Sequence, residues 1–382
     1  MEGYPHISFE KRWNITPETS YHLGECEAMV EVMSKTPLRP KDHTRLLQVS
    51  LIKGAHATTA IEGNTLSQED IEKIYLEKER LPASKEYLQI EVTNVIDAFN
   101  YLIDAVVRDT NEWLVTPKLI LDFHRRIAKD LGDHIDAIPG RWRDDRRHVG
   151  PYLAPEHRYI PELMEKLYDW IRNEFHFHKE QDFKTAVIQA IATHVYIEWI
   201  HPFADGNGRT GRLVEFYILL RAGLPVIASH ILSDFYNQTR TEYYRQLNIA
   251  RQERNLTKFL NYAILGFRDG LASQLRIIQN GQMKIFWRNH VHESFADMHY
   301  KKSSVFKRKR DLMLAVPLDR KLTVSEIVAA DPDVARIYAG LQPSALDRDL
   351  KELVNMELLI REGRHYYANK QALLVHLPAR RG

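Results

Sequence analysis

One stretch of the 382-residue chain gathers side chains that could do chemistry: His201-Pro202-Phe203-Ala204-Asp205-Gly206-Asn207-Gly208-Arg209-Thr210-Gly211-Arg212. The ordinary pKa of His201 lies near neutrality, so the ring can take a proton from a hydroxyl at cellular pH. Asp205 is a hard oxygen ligand suited to Mg2+, an ion that normally bridges phosphate oxygens. Gly206 and Gly208 permit a close backbone approach, and Asn207 can add a side-chain donor. Arg209 and Arg212, three residues apart, share one face of a helical turn and can fork onto phosphate oxygens. Each residue alone has an ordinary explanation, because histidine and arginine are common at helix ends. Together they point to a phosphate-handling centre.

Two helices must hold this stretch. Phe183 to Ile200 carries Ala186, Ala190, Ile191, His194, Val195, Ile197 and Ile200 at helical spacing, which predicts a buried helix. Leu213 to Arg221 continues as helix until Gly223 and Pro225 stop it. A glycine-rich turn that opens a helix presents unpaired N–H groups backed by the positive end of the helix dipole.

HPFADGNGRTGR matches the HPFx[DE]GNGRxxR signature of Fic proteins at every specified position, and the chain resembles that family here. The resemblance implies AMP transfer from ATP to a protein Ser, Thr or Tyr hydroxyl, on targets and on the enzyme itself. His201 would be the base and Asp205 the Mg2+ ligand. Gly206, Asn207 and Gly208 would cradle phosphate, Arg209 would hold the β-phosphate side, and Arg212 would reach the γ-phosphate. It also implies a mainly α fold, a helical bundle with a β-hairpin flap.

Asp42 to Glu62 reads as a helix stopped by Gly63. A carboxylate in the last turn opposes the helix dipole unless a cation meets it. Thr58-Thr59-Ala60-Ile61-Glu62-Gly63 resembles the [ST]xxxE[GN] inhibitory motif of the same family. The resemblance implies a Glu62–Arg212 salt bridge that denies Arg212 to ATP. The same glutamate could instead align a water that removes AMP from a modified target, and both readings stay open.

Earlier and later stretches are less specific. Residues 1–40 form a proline-punctuated arm around one helix, Pro17 to Ser34. A Thr65/Gln68 capping box leads into a helix from Ile71 to Arg80, and helices follow at Glu86 to Arg108 and from Pro117 to about Leu131. His124 reads as a packing or surface residue. Ile138-Pro139-Gly140-Arg141-Trp142-Arg143 opens a β-like stretch that, by the resemblance, is the target-docking flap, with Arg143, Val149 and Gly150 at the dock. The same resemblance implies an adenine contact for Tyr243 or Tyr244, although one of the pair can equally pack on the core.

The N-terminal region is set at 1–110, with its inhibitory helix at about 42–63. The catalytic domain is set at 111–290, and residues 301–377 resemble a winged helix-turn-helix module. The helix there at Pro343 to Leu353 alternates Asp347, Arg348, Asp349, Lys351 and Glu352, a poor face for phosphate, so a dimerisation or target-positioning role is favoured over DNA reading. The basic run at 301–310 keeps a DNA-binding regulator with a nucleotide-sensing domain as the rival. A formal net charge of +2 demands neither a nucleic-acid nor a membrane partner. Cys26 is the single cysteine, which excludes an intrachain disulfide and suits a reducing cytosol. No apolar run is long enough to span a bilayer, and Met1 to Pro5 lacks the regions of a signal peptide. A homodimer is compatible with all of this.

Overall fold

The structure is a computed structural model describing residues 4–108, 115–175, 182–296 and 304–374. It is mainly helical and divides into two compact units, Met1–Leu275 and Arg276–Gly382. The N-terminal helical region and the signature segment therefore share one unit.

In the first unit the helices are α1 (Pro17–Lys35), α2 (Pro40–Ile61), α3 (Gln68–Glu72), α4 (Glu86–Arg108), α5 (Pro117–Ile127) and α6 (Ile160–Glu174). They continue as α7 (Phe183–Ile200), α8 (Asn207–Arg221), α9 (Val226–Ser229), α10 (Ile231–Gln238) and α11 (Arg240–Glu253), and α12 (Thr257–Ala296) crosses the boundary. α7 and α8 form the centre. α7 is apolar on every side and buried on nearly every side, as a helix surrounded by other helices must be. α8 is buried from Asn207 to Leu220, including its polar first turn. A helix N-terminus out of water leaves its N–H groups without solvent partners, and a ligand is one way to satisfy them.

α2 packs against α4, α8, α9 and α10, which brings its C-terminal turn to the α7–α8 junction. That turn closes at Glu62, with Gly63 at φ 105°, a conformation that favours glycine. The capping box of α3 is Ser67/Asp70 rather than Thr65/Gln68, and π-type turns extend the helix through Glu77.

Strands β1 (His148–Val149) and β2 (Tyr152–Leu153) pair antiparallel, His148 opposite Leu153 and Val149 opposite Tyr152. Gly150 and Pro151 form the turn, and Gly150 at φ 58° has the positive first-position angle that such tight hairpins need.

In the second unit come α13 (Ser304–Ala315), β3 (Leu322–Thr323), α14 (Val324–Ala329), α15 (Pro332–Ala339), α16 (Pro343–Asn355), β4 (Leu359–Glu362) and β5 (His365–Ala368). The strands form one antiparallel sheet ordered β3–β5–β4. Its core joins Trp287, Val291 and Phe295 of α12 to Leu312, Ile327, Leu350, Leu353 and Tyr366. From Ser304 onward the basic run is helix α13, Arg308 forks onto Asp349 at 2.7 and 3.0 Å, and Lys309 pairs with Glu352. Lys301 and Lys302 lie outside the described residues.

Candidate active site

His201 ends α7 in the left-handed region (φ 50°, ψ 61°), and its N–H still bonds the Ile197 carbonyl at 2.9 Å. This turn swings the chain out of the helix and puts the ring at the α7–α8 junction. Burial pushes the imidazole down to about 4, with the Arg143 guanidinium in the same sense; the Glu198 carbonyl, Glu62 and Asp205 oppose it. The ring is therefore neutral at pH 7. Nδ1 is buried and makes no hydrogen bond among the described residues.

The loop from Pro202 to Gly206 is held from inside. Asn207 accepts from the Phe203 N–H and donates to the Phe203 carbonyl, both at 2.8 Å. Its side chain is thus a staple for the loop, and Nδ2 carries a second hydrogen that these two bonds do not use. His124 stacks on Phe203 with ring centroids 3.7 Å apart. Its Nδ1 accepts from Gly140 N (2.9 Å), so Nε2 carries the hydrogen and donates to the Asp205 carbonyl at 3.0 Å. Gly206 sits against the same ring at φ 81°, where a side chain would be strained and crowded.

Asp205 Oδ1 receives Arg209 Nη2 at 3.0 Å and the Gly206 N–H. The carboxylate is 38% exposed, and Oδ2 makes no hydrogen bond among the described residues. It can supply one oxygen to a cation. No cluster of three or more metal-ligating side chains occurs among the described residues.

Arg209 is buried and also pairs with Glu91 of α4. Asn64 holds Glu91 in turn through Nδ2 to Oε2 at 2.7 Å. Burial raises the Glu91 carboxyl above its usual range, against the pull of Arg209. Glu91 and Asn64 were not among the expected site residues. The available signal was a carboxylate in the apolar stripe of α4, between Leu88 and Val95.

Arg212 is fully buried. Its Nη2 meets Glu62 Oε1 at 2.5 Å, and its Nε and Nη2 bond Thr58 Oγ1 and O at 2.7 and 2.9 Å. Burial pushes the Glu62 carboxyl up, but Arg212, with Arg209 and Arg240 behind it, wins and holds it below its usual range. Glu62 also leans over the first turn of α8, where a Cβ on Gly208 would collide with Oε1. Gly63 sits just past Glu62 as the helix stop.

Beside this centre a cavity of about 550 Å³ lies between the flap turn, the end of α7 and α11. Val149, Gly150, Tyr152, Trp199, Tyr244 and Arg251 are among its walls. Tyr243 points elsewhere. It is buried in an aromatic cluster with Tyr236 and Phe259, and its hydroxyl meets His194 Nε2 at 2.8 Å. Of the two tyrosines, Tyr244 faces the cavity and Tyr243 belongs to the core. Arg143 also departs from expectation. It is buried, donates to the carbonyls of His201 (2.7 Å), Asp145 and Pro155, and so anchors the base of the flap instead of facing a target.

Residues 114–219 match the model of the Fic/DOC family. The protein adenylyltransferase Fic of Nematostella vectensis is 28% identical over 54% of this chain and 44% of its own length. That of Aedes aegypti is 32% identical over 53% and 37%. The chain thus spans less than half the length of these curated relatives. Among solved structures, a Fic family protein from Desulfovibrio desulfuricans aligns over 94% of this chain and 98% of its own, with a TM-score of 0.58 and 22% identity. Fic-1 from C. elegans aligns over 68% and 73%, with a TM-score of 0.55 and 22% identity. These likenesses establish the fold.

Proposed function

We propose that the chain is a protein adenylyltransferase restrained by its own Glu62. The observation that carries this reading is the position of the Glu62 carboxylate, on Arg212 and over Gly208, where the phosphates of ATP would be held. The neutral His201 beside it supports proton abstraction. The names of the relatives support adenylyl transfer as the chemistry.

In the reaction a target hydroxyl oxygen forms a bond to the α-phosphorus of ATP, and the bond to the bridging oxygen breaks, releasing pyrophosphate. His201 takes the hydroxyl proton. Arg209, Arg212 and the first N–H groups of α8 hold phosphate oxygens in place, and such positioning and charge compensation supply most of the rate. Asp205 would hold Mg2+, which when bound neutralises phosphate charge. The edge of the flap at Val149 and Gly150 suits an extended target segment, held through main-chain hydrogen bonds, and Tyr244 suits the adenosine side of the cavity. The internal pairing of Arg308 and Lys309 weighs against the rival DNA-binding regulator.

The test is mass spectrometry of Glu62→Gly protein incubated with ATP, Mg2+ and lysate. Adducts of AMP should appear on target proteins and on the chain itself. They should vanish in the double variant with His201→Ala. Adducts that persist without His201 would refute its role, and none in a folded Glu62→Gly protein would refute adenylyl transfer.

A further inference from the structure

An N-terminal arm that the transfer chemistry does not use lies against the flap. Ile7 and Trp13 are buried, and Trp13 stacks on Phe175. Arg12 O accepts from Leu256 N at 2.8 Å, and Asn14 N donates to Thr257 Oγ1 at 2.9 Å. Between these anchors and the chain start, His6 is buried edge-on to both Tyr152 and Trp199, with ring centroids 5.4 and 5.3 Å away.

Hydrogen-bond directions follow from the donors present. The Tyr152 hydroxyl donates to the Trp199 carbonyl at 2.7 Å. The 3.0 Å contact between His6 Nε2 and the same phenol oxygen must then carry its hydrogen on nitrogen. Tyr4 adds a bond from its hydroxyl to the Ala154 carbonyl at 3.3 Å, just past β2. The Arg251 guanidinium covers the Tyr152 ring at 4.9 Å and donates to Asn248 Oδ1 at 2.7 Å.

We propose that the N-terminal arm is a clasp for the flap, with His6 and Tyr152 as positioning residues. The relay from His6 through the Tyr152 hydroxyl to the Trp199 carbonyl ties β2 to the last turn of α7, two residues before His201. It fixes the separation between the flap and the base. Tyr152, Trp199 and Arg251 also wall the cavity, so the clasp sets its width. This inference rests on the nucleotide-transfer reading of the site, but its structural half can be measured without activity.

The experiment compares Tyr152→Phe, His6→Ala and His6→Gln, each in the Glu62→Gly background. Hydrogen exchange at residues 148–153 reads the flap, and steady-state labelling with ATP reads KM and kcat. Tyr152→Phe and His6→Ala should speed exchange and raise KM for ATP about fivefold, the worth of one net hydrogen bond, with KM rising more than kcat falls. His6→Gln keeps an N–H at the end of its side chain and should restore both. Unchanged exchange and KM in folded His6→Ala protein overturn the clasp, as does a loss in kcat alone that glutamine fails to rescue. If the Glu62→Gly parent transfers nothing, the transfer reading fails, and the exchange data still decide the clasp.

Discussion

Replacing Glu62 by glycine has two effects of opposite sign. Arg212 is buried, and among the described residues its one ion-paired carboxylate is Glu62, at 2.5 Å. A charge-assisted hydrogen bond of this kind is worth about 1.5–3 kcal/mol net, and the 27% exposure of the Glu62 side chain argues for the lower half of that range. Converted to populations, about 1.5–2 kcal/mol is a factor of roughly 10 to 30 in the fraction of molecules whose Arg212 is free for phosphate. Labelling from α-labelled ATP should rise by that factor. Folding stability should move the other way by a similar energy, because a buried guanidinium loses its counter-charge. ATP should then raise the melting temperature of the variant more than that of the parent, since its phosphates replace the lost carboxylate. Calorimetry with and without ATP, beside the labelling assay, measures both. A variant that is folded, binds ATP and labels no faster than the parent would refute the competition argument.

Other outcomes follow from the same geometry. His201→Ala should cut transfer by about 10²–10⁴-fold while ATP affinity, measured by calorimetric titration, stays within about twofold of the parent's. Asn207→Ala removes both bonds to Phe203 and should lower the denaturant midpoint by the equivalent of about 1–3 kcal/mol together with transfer, as the loop loosens. Gly208→Ala puts a methyl group where Glu62 Oε1 sits; it should weaken the salt bridge without activating the enzyme, because the methyl also blocks the phosphate cradle, and ATP titration of the variant would check this. His6, His124, His201 and His230 are each held by burial at about 4. Because their folded values lie below the unfolded ones, the unfolded chain binds more protons between pH 6.5 and 4, and stability is lost as pH falls through that window. Near pH 5 unfolding should take up about three to four protons from these rings, which urea midpoints across pH would reveal.

The candidate site was legible in the sequence because its residues are adjacent in the chain. The run from His201 to Arg212 needs one turn and one helix start to assemble, and Thr58 and Glu62 need one helical turn. What escaped depended on distant partners. Thr65/Gln68 and Ser67/Asp70 offer the same three-residue spacing for a cap, and only the path of the chain after Asn64 selects the second. Tyr243 and Tyr244 differ by one helical step, and the packing of Tyr236 and Phe259 decides which turns inward. Arg143 looked like a flap charge because the three carbonyls that receive it come from separate segments. That Asn207 also staples its own loop escaped because nothing in its neighbours announces that Phe203 turns back onto it. The internal pairing of the basic run escaped because its acidic partners, Asp349 and Glu352, lie far along the chain. Helical spacing locates an element and its apolar face, but not the polar partner that the opposite side will meet.

The Thr58 contacts carry a consequence for how the proposed restraint would be lifted. Two of the three bonds on Arg212 come from Thr58, one from its hydroxyl and one from its carbonyl, and neither involves Glu62. Were the carboxylate to swing aside, the guanidinium would stay aimed at the same point in space. Unlocking therefore requires a rotamer change at a single side chain just past the end of α2, and no helix has to undock. A barrier that small is crossed by thermal motion, so the resting protein should leak a low basal turnover, and a light touch near Gly63 would be enough to tip the balance.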